Sequence, residues 1–233
     1  MKNFDHDILV IGGGIAGFVA AVTACGLGQK VGIVEKRKLG GNCTSFTCIP
    51  SKVLISAAHA AHQWSHLGGV GLSVDGSAAI NLEKLMSHIR EVVQKAYEKD
   101  GRETFEKIGI SVLSGNPEFI DNQHIMLSGQ ALSTKKFIIA TGTRPLIPPI
   151  EGLEKVRYLT NETVFELNAI PKSMIILGGG VDGLEFASAF GHLGVKVTLV
   201  EMGKRLMPRA DSDLAELLFG ALKRAGIHIL LGT

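Results

Sequence analysis

A chain of 233 residues, 45% hydrophobic and 20% charged, carries enough apolar surface for one large folded domain or two small ones. Its 24 basic and 22 acidic side chains leave a net charge of +2, which gives no electrostatic basis for binding nucleic acid or an acidic membrane. No apolar run reaches the roughly 18 residues of a membrane span, the N-terminus with Asp5 and Asp7 lacks the form of a signal peptide, and three cysteines are no disulfide framework, so the expected location is cytoplasmic.

In chain order, the pattern predicts strand 7–12, helix 15–27 and strand 31–35. The apolar run Ile8-Leu9-Val10-Ile11 turns through Gly12, Gly14 and Gly17 in a G-x-G-x-x-G spacing and closes on Glu35. Such a box between a strand and a helix, ended by an acid after a second strand, is a dinucleotide-binding fingerprint. Gly12 permits the tight turn, Gly14 leaves room for a diphosphate, and Gly17 lets helix and strand pack closely. The diphosphate would sit on the helix N-terminus. Glu35 can accept hydrogen bonds from a ribose 2′-OH and would repel a 2′-phosphate. Lys36-Arg37-Lys38 reads as a solvated loop that can also face phosphate.

The next segment, Leu39-Gly40-Gly41-Asn42-Cys43-Thr44-Ser45-Phe46-Thr47-Cys48-Ile49-Pro50-Ser51-Lys52, holds a C-x4-C pair, which fits neither a zinc knuckle nor a C-x-x-C motif. Residues five apart on one regular helix diverge by about 140°, so both thiols cannot share a helix and still meet. Pro50 favours a first helical turn, which predicts a helix beginning near Cys48 and running to about Ser65, with Cys43 folding back from the preceding loop. That geometry allows a disulfide and places Cys48 at a helix N-terminus, where a thiolate is stabilised. Lys52 adds a positive charge one turn later. Cys25, inside an Ala/Val-rich helix, reads as a small buried hydrophobe. His59, His62 and His66 share a helical face, but without an acid or cysteine beside them they are read as surface or core residues, and no metal site is assigned.

A helical pattern covers 82–107, followed by short strands near 110–114, 117–120 and 124–127 and an apolar strand at 136–140. The prolines of Thr143–Pro149 suggest an extended connector and a domain boundary, dividing the chain into 1–149 and 150–233. The second part repeats the first: strand 173–178, helix 183–193, strand 196–201, helix 212–225 and strand 227–231. Gly178, Gly180 and Gly183 recreate the box, and Glu201 follows Gly178 by 23 residues, as Glu35 follows Gly12. The expected fold class is therefore α/β, two Rossmann-like dinucleotide-binding units with parallel sheets.

Together, the first box, G-G-x-C-x4-C-I-P-S-K, the Ala140-Thr141-Gly142 turn and the second box with Glu185 resemble the flavoprotein disulfide reductases, among them dihydrolipoamide dehydrogenase and mercuric reductase. The resemblance implies FAD on the first box with Gly12, Gly14, Gly17, Glu35, Lys36, Gly41, Lys52, Thr141 and Gly142. It implies NAD(H) on Gly178, Gly180, Val181, Gly183 and Glu201, with Val181 gating access of the nicotinamide to the flavin. Cys43 would be the interchange thiol and Cys48 the flavin-proximal one; Lys52 would approach the flavin and pair with Glu185. Asn42, Thr44–Thr47 and Asp182 depart from the family pattern. The resemblance further implies a small-molecule or protein disulfide substrate, a homodimer in the full-length form, and a longer protein of which both units are incomplete here at their C-terminal ends. A mercuric-reductase-like metal reductase and a non-catalytic nucleotide-binding fragment are the alternative expectations.

Overall fold

The computed structural model describes residues 3–71, 80–99 and 101–233. They form two compact units, one from Met1–Ile49 and Glu91–Tyr158, the other from Pro50–Arg90 and Leu159–Thr233.

The first unit is built on β1 (His6–Ile11), β2 (Val31–Glu35), β3 (Ser111–Ser114), β4 (Glu118–Phe119), β5 (His124–Leu127) and β6 (Gln130–Ile139), in the order β3-β2-β1-β6-β5-β4. The four strands from β3 to β6 run parallel, whereas β5 and β4 are antiparallel additions. The parallel sheet expected from the sequence is thus a mixed one. β6 is also longer than the apolar stretch 136–140 suggested. Ser128 at φ +52° and Gly129 at φ +84° close a two-residue hairpin loop, so the polar half Gln130–Lys135 is recruited as a partner of β5.

β1 shows why this sheet is covered on both faces. Val10 packs with Ala21, Ala24, Ile33 and Phe105 on one side, and Leu9 and Ile11 pack with Val34, Ile125 and Leu127 on the other. An unbroken apolar run suits a strand buried on both faces. At its start His6 is buried against Gly32, with Nδ1 unpartnered; burial, then the Lys30 charge, holds its pKa below the ordinary value.

α1 (Ile15–Gly26) follows the first box and α2 (Gly41–Ser45) follows β2. The single helix expected over 82–107 is two, α4 (Leu82–Lys99) and α5 (Arg102–Lys107); position 100 lies outside the described residues. Gly101 adopts extended angles as the cap of α5, and a Cβ there would stand 2.7 Å from the Tyr97 carbonyl oxygen.

The second unit holds β7 (Ser173–Leu177), β8 (Lys196–Glu201) and β9 (His228–Leu231), all parallel, in the order β7-β8-β9. α6 (Val181–His192) connects β7 to β8 and α7 (Ser212–Arg224) connects β8 to β9. Ala187, Phe190, Leu199 and Leu206 are among its most deeply buried side chains. α3 (Cys48–His66) begins at Cys48, as the position of Pro50 suggested, and contributes Leu54 and Ala58 to the buried set. Among the described residues no helix is long and apolar enough to cross a membrane.

Candidate dinucleotide loops and thiol site

The first glycine box follows directly from β1. Gly12 lies at φ +108°, and a Cβ there would fall 2.2 Å from the Ala140 carbonyl oxygen. A Cβ on Gly17 would fall 1.9 Å from the Gly12 carbonyl oxygen, so α1 can cross the strand end only with glycine at that position. Gly14 differs in kind. It caps α1 with no side-chain hydrogen bond, and a Cβ there would meet nothing closer than the Gly41 Cα at 3.8 Å. Space and an uncapped helix end stand together at Gly14, and α1 has no acidic residue in its first turn. Those features fit a bound diphosphate.

The second box repeats this arrangement at the head of α6. Gly178 has φ +109°, a Cβ on Gly183 would lie 2.0 Å from the Gly178 carbonyl oxygen, and Gly180 has nothing within 4 Å of such a Cβ. Asp182, in the first turn of α6, is exposed and places a negative charge on this N-terminus that α1 does not have. Val181 is 56% exposed at the start of the same helix.

Both acids are tied into their loops. Glu35 accepts hydrogen bonds from the Gly13 N–H at 2.7 Å and the Arg37 N–H at 2.8 Å; Glu201 accepts from the Gly179 and Gly203 N–H groups, each at 2.6 Å. A carboxylate has about four lone-pair sites, so each retains acceptor capacity for ribose hydroxyls. The residues that sequence reasoning missed are the middle glycines. A Cβ on Gly13 would lie 2.6 Å from Leu39 Cδ2, and one on Gly179 2.6 Å from Leu206 Cδ2. The Gly13 and Gly179 carbonyls in turn accept from the Gly40 and Met207 N–H groups. Each leucine is a wedge beneath its loop. The only linear signal was a third glycine in each box.

The thiols occupy two consecutive helices. Cys43 is half-buried in α2, a short helix where the sequence suggested a loop, and Cys48 is the exposed first residue of α3. The Asn42 carbonyl turns the chain between them by accepting the N–H groups of Phe46 and Thr47, at 2.8 and 2.9 Å, and the Thr47 hydroxyl at 3.2 Å. The Thr47 hydroxyl is also 3.6 Å from Cys48 Sγ. Three contacts anchor α2. Gly41 passes so near Gly14 that a Cβ would lie 2.7 Å from its Cα, the Asn42 side-chain amide donates to the Thr143 carbonyl at 2.9 Å, and Ser45 Oγ meets the Tyr97 hydroxyl. Lys38 Nζ lies 4.9 Å from the Tyr97 ring centre. Thr141 and Gly142, the latter at φ +70°, are exposed in the turn just before Thr143, and Lys36 is exposed after Glu35. Cys25 lies apart, its thiol donating to the Ile108 carbonyl at 3.0 Å.

Tyr97→Phe removes the hydroxyl facing Ser45. A net loss of about 1 kcal/mol is expected from urea unfolding. Alkylation of Cys43 should quicken while that of Cys25 stays the same; an unaltered Cys43 rate would show that Tyr97 does not steady α2.

In the second unit, Lys52 Nζ lies 2.6 Å from Glu185 Oε1, and the buried Ser51 donates its hydroxyl to Glu185 Oε2 at 2.9 Å. Lys52 and Glu185 are therefore together, as the resemblance implied, and Ser51 is an added partner that spacing alone did not single out. Among the described residues, no group of three or more histidine, cysteine, aspartate and glutamate side chains is arranged to hold a metal ion.

The model of the family described as "Pyridine nucleotide-disulphide oxidoreductase" matches residues 6–233. The chain belongs to this family. It is 33% identical to a mercuric reductase of Lysinibacillus sphaericus, covering 98% of this chain and 42% of the reductase. It is 34% identical to a dihydrolipoyl dehydrogenase of Acholeplasma laidlawii, with 97% and 68% covered. Among solved structures, the HOCl-induced flavoprotein disulfide reductase RclA from Escherichia coli superposes with a TM-score of 0.80 at 29% identity, over 97% of this chain and 49% of RclA. This oxidoreductase chain thus spans less than half the length of the mercuric reductase and about half that of RclA. Its relatives are flavoprotein disulfide oxidoreductases.

Proposed function

We propose that this chain supplies the flavin and thiol half of an FAD- and NAD(H)-dependent disulfide oxidoreductase of the dihydrolipoamide dehydrogenase type. Residues 1–149 serve FAD and residues 150–233 serve the nicotinamide cofactor. The observation that carries the reading is the pairing of two open, uncapped glycine boxes with a C-x4-C thiol pair whose second cysteine opens a 19-residue helix.

Gly14 and the α1 N-terminus hold the FAD diphosphate, with Gly12, Gly17 and Gly41 shaping the space. Glu35 takes the adenosine ribose, and Lys36, Thr141 and Gly142 line its approaches. When bound, FAD supplies two-electron transfer between the nicotinamide and the Cys43–Cys48 pair. The overall reaction consumes NADH, a proton and a disulfide and yields NAD⁺ and two thiols, or runs in reverse. Cys48 Sγ, at a helix N-terminus, is held as thiolate by the backbone N–H groups and the helix dipole. Cys43 exchanges with the substrate disulfide. Lys52 is held by Glu185, and Val181, at the start of α6, would flank a nicotinamide cofactor bound on the second box. The setting is cytoplasmic and the full-length protein a homodimer.

This chain alone is expected to be catalytically incomplete, so the test is assay of the full-length oxidoreductase, loaded with FAD, for NADH-dependent reduction of lipoamide, with Hg(II) as the competing acceptor. Lipoamide turnover supports the reading. Turnover with Hg(II) alone would assign the mercuric-reductase alternative.

Cofactor choice follows from Glu201. Its carboxylate is fixed at the end of β8 by two backbone N–H groups, where it would oppose a 2′-phosphate. Lys204 and Arg205 are exposed nearby in sequence, but the Arg205 guanidinium donates to the Pro208 carbonyl at 2.6 Å. NADH should therefore bind more tightly, and reduce the flavin faster, than NADPH. Stopped-flow traces favouring NADPH would overturn this assignment.

A further inference from the structure

α3 and α6 meet along a seam with chemically opposite ends. At one end lie Ser51, Lys52 and Glu185. Seven residues further along each helix, about two turns, stand His59 on α3 and His192 on α6. His62 and His66 complete the group on α3. The ring centres are 5.0 Å apart for His59 and His192, 4.2 Å for His62 and His192, and 4.1 Å for the stacked pair His62 and His66.

Four imidazoles at these spacings are compatible while uncharged. His192 Nδ1 is buried with no hydrogen-bond partner, so a proton added there would have no acceptor in the protein. The charged groups that act on His62 are His66 and His59, and those that act on His192 are His62, His59 and His66. Among the described residues no carboxylate acts on His62 or His192; of the two acids on α6, Asp182 is exposed in its first turn and Glu185 is engaged with Lys52 at the far end. We propose that His59, His62, His66 and His192 form an acid-sensitive latch that holds the C-terminal halves of α3 and α6 together only while no more than one of the rings is charged.

Burial, followed by the neighbouring histidines, holds the pKa values of His62 and His192 below the ordinary 6.5. Groups that bind protons more weakly when folded contribute stability that is present above the unfolded value and is lost as pH falls below it. A first proton is partly offset at His192, which sits in the last turn of α6, where the helix dipole favours a cation. The second proton must share a ring stack with the first, and like charges at this range repel. The latch therefore releases on the second protonation, in the acid range below pH 6.5. This inference stands apart from the flavin reading, because it needs no cofactor.

The experiment follows the full chain by NMR of ring-labelled histidines and by hydrogen exchange from pH 7.5 to 5.5. His62 and His192 should titrate below the ordinary histidine range, and His192→Gln should raise the His62 midpoint. Exchange protection at residues 60–66 and 186–192, corrected for intrinsic rates, should fall on the order of tenfold on acidification and stay level in His192→Gln. An unmoved His62 midpoint, or acid loss of protection equal in the variant, would overturn the latch. Should the variant not fold, unchanged wild-type protection at pH 5.5 overturns it alone. His6, also depressed in pKa, lies in the other unit, so its acid response falls outside these segments.

Discussion

Gly14→Ala should leave the first unit folded and deprive it of flavin, whereas Gly17→Ala should unfold it. The two glycines are three residues apart, yet their surroundings are opposite. A methyl at position 14 has ordinary contact distance to Gly41, while one at position 17 would lie only 1.9 Å from the Gly12 carbonyl oxygen. What the Gly14 methyl occupies is the approach to the α1 N-terminus. Pushing a diphosphate away forfeits about two charge-assisted hydrogen bonds at about 1.5 kcal/mol each, or about 100-fold in affinity. Far-UV circular dichroism should match wild type for Gly14→Ala and collapse for Gly17→Ala, and flavin absorbance after gel filtration should vanish from both. Equal flavin retention by Gly14→Ala would remove the first box from the site. Unfolding of Gly14→Ala would mean that its open space serves packing.

Cys48→Ser should abolish, and Cys43→Ser preserve, the long-wavelength absorbance band expected when the flavin-loaded protein is reduced by two electrons. The band requires a thiolate against the flavin, and Cys48 is the thiol at a helix N-terminus. Peptide mapping offers a readout that needs no flavin. In the oxidised protein Cys43 and Cys48 should appear as one linked peptide, because Asn42 turns the chain between their helices. Cys25, bonded to the Ile108 carbonyl, should be recovered reduced. Loss of the band in Cys43→Ser with retention in Cys48→Ser would exchange the two roles, and a linkage through Cys25 would discard the pair altogether.

The parts legible in the sequence were those encoded over short spans. Strands 31–35, 124–127 and 196–201 coincide with β2, β5 and β8, because apolar runs and turn residues are local signals. The glycine spacing, the closing glutamates and a helix beginning at Cys48 were equally readable. Contacts that close through space were not. Tyr97 reaches Ser45 from a helix with no motif of its own. Leu39 and Leu206 look like ordinary loop leucines until the glycine above each is seen to need their flank. His192 carried no mark linking it to the histidines of α3, and the polar half of β6 was hidden because its pairing is dictated by a hairpin and not by apolarity.

The leucine wedge and the tethered glutamate beneath each glycine loop have a consequence for the time course of cofactor capture. With its N–H, carbonyl and flank all engaged, the middle residue of each loop has little left to rearrange when a dinucleotide arrives. Association at such a loop is expected to proceed in one step, at a rate set by encounter. Discrimination among dinucleotides would then be expressed in residence time, the matched ribose being released more slowly than the mismatched one.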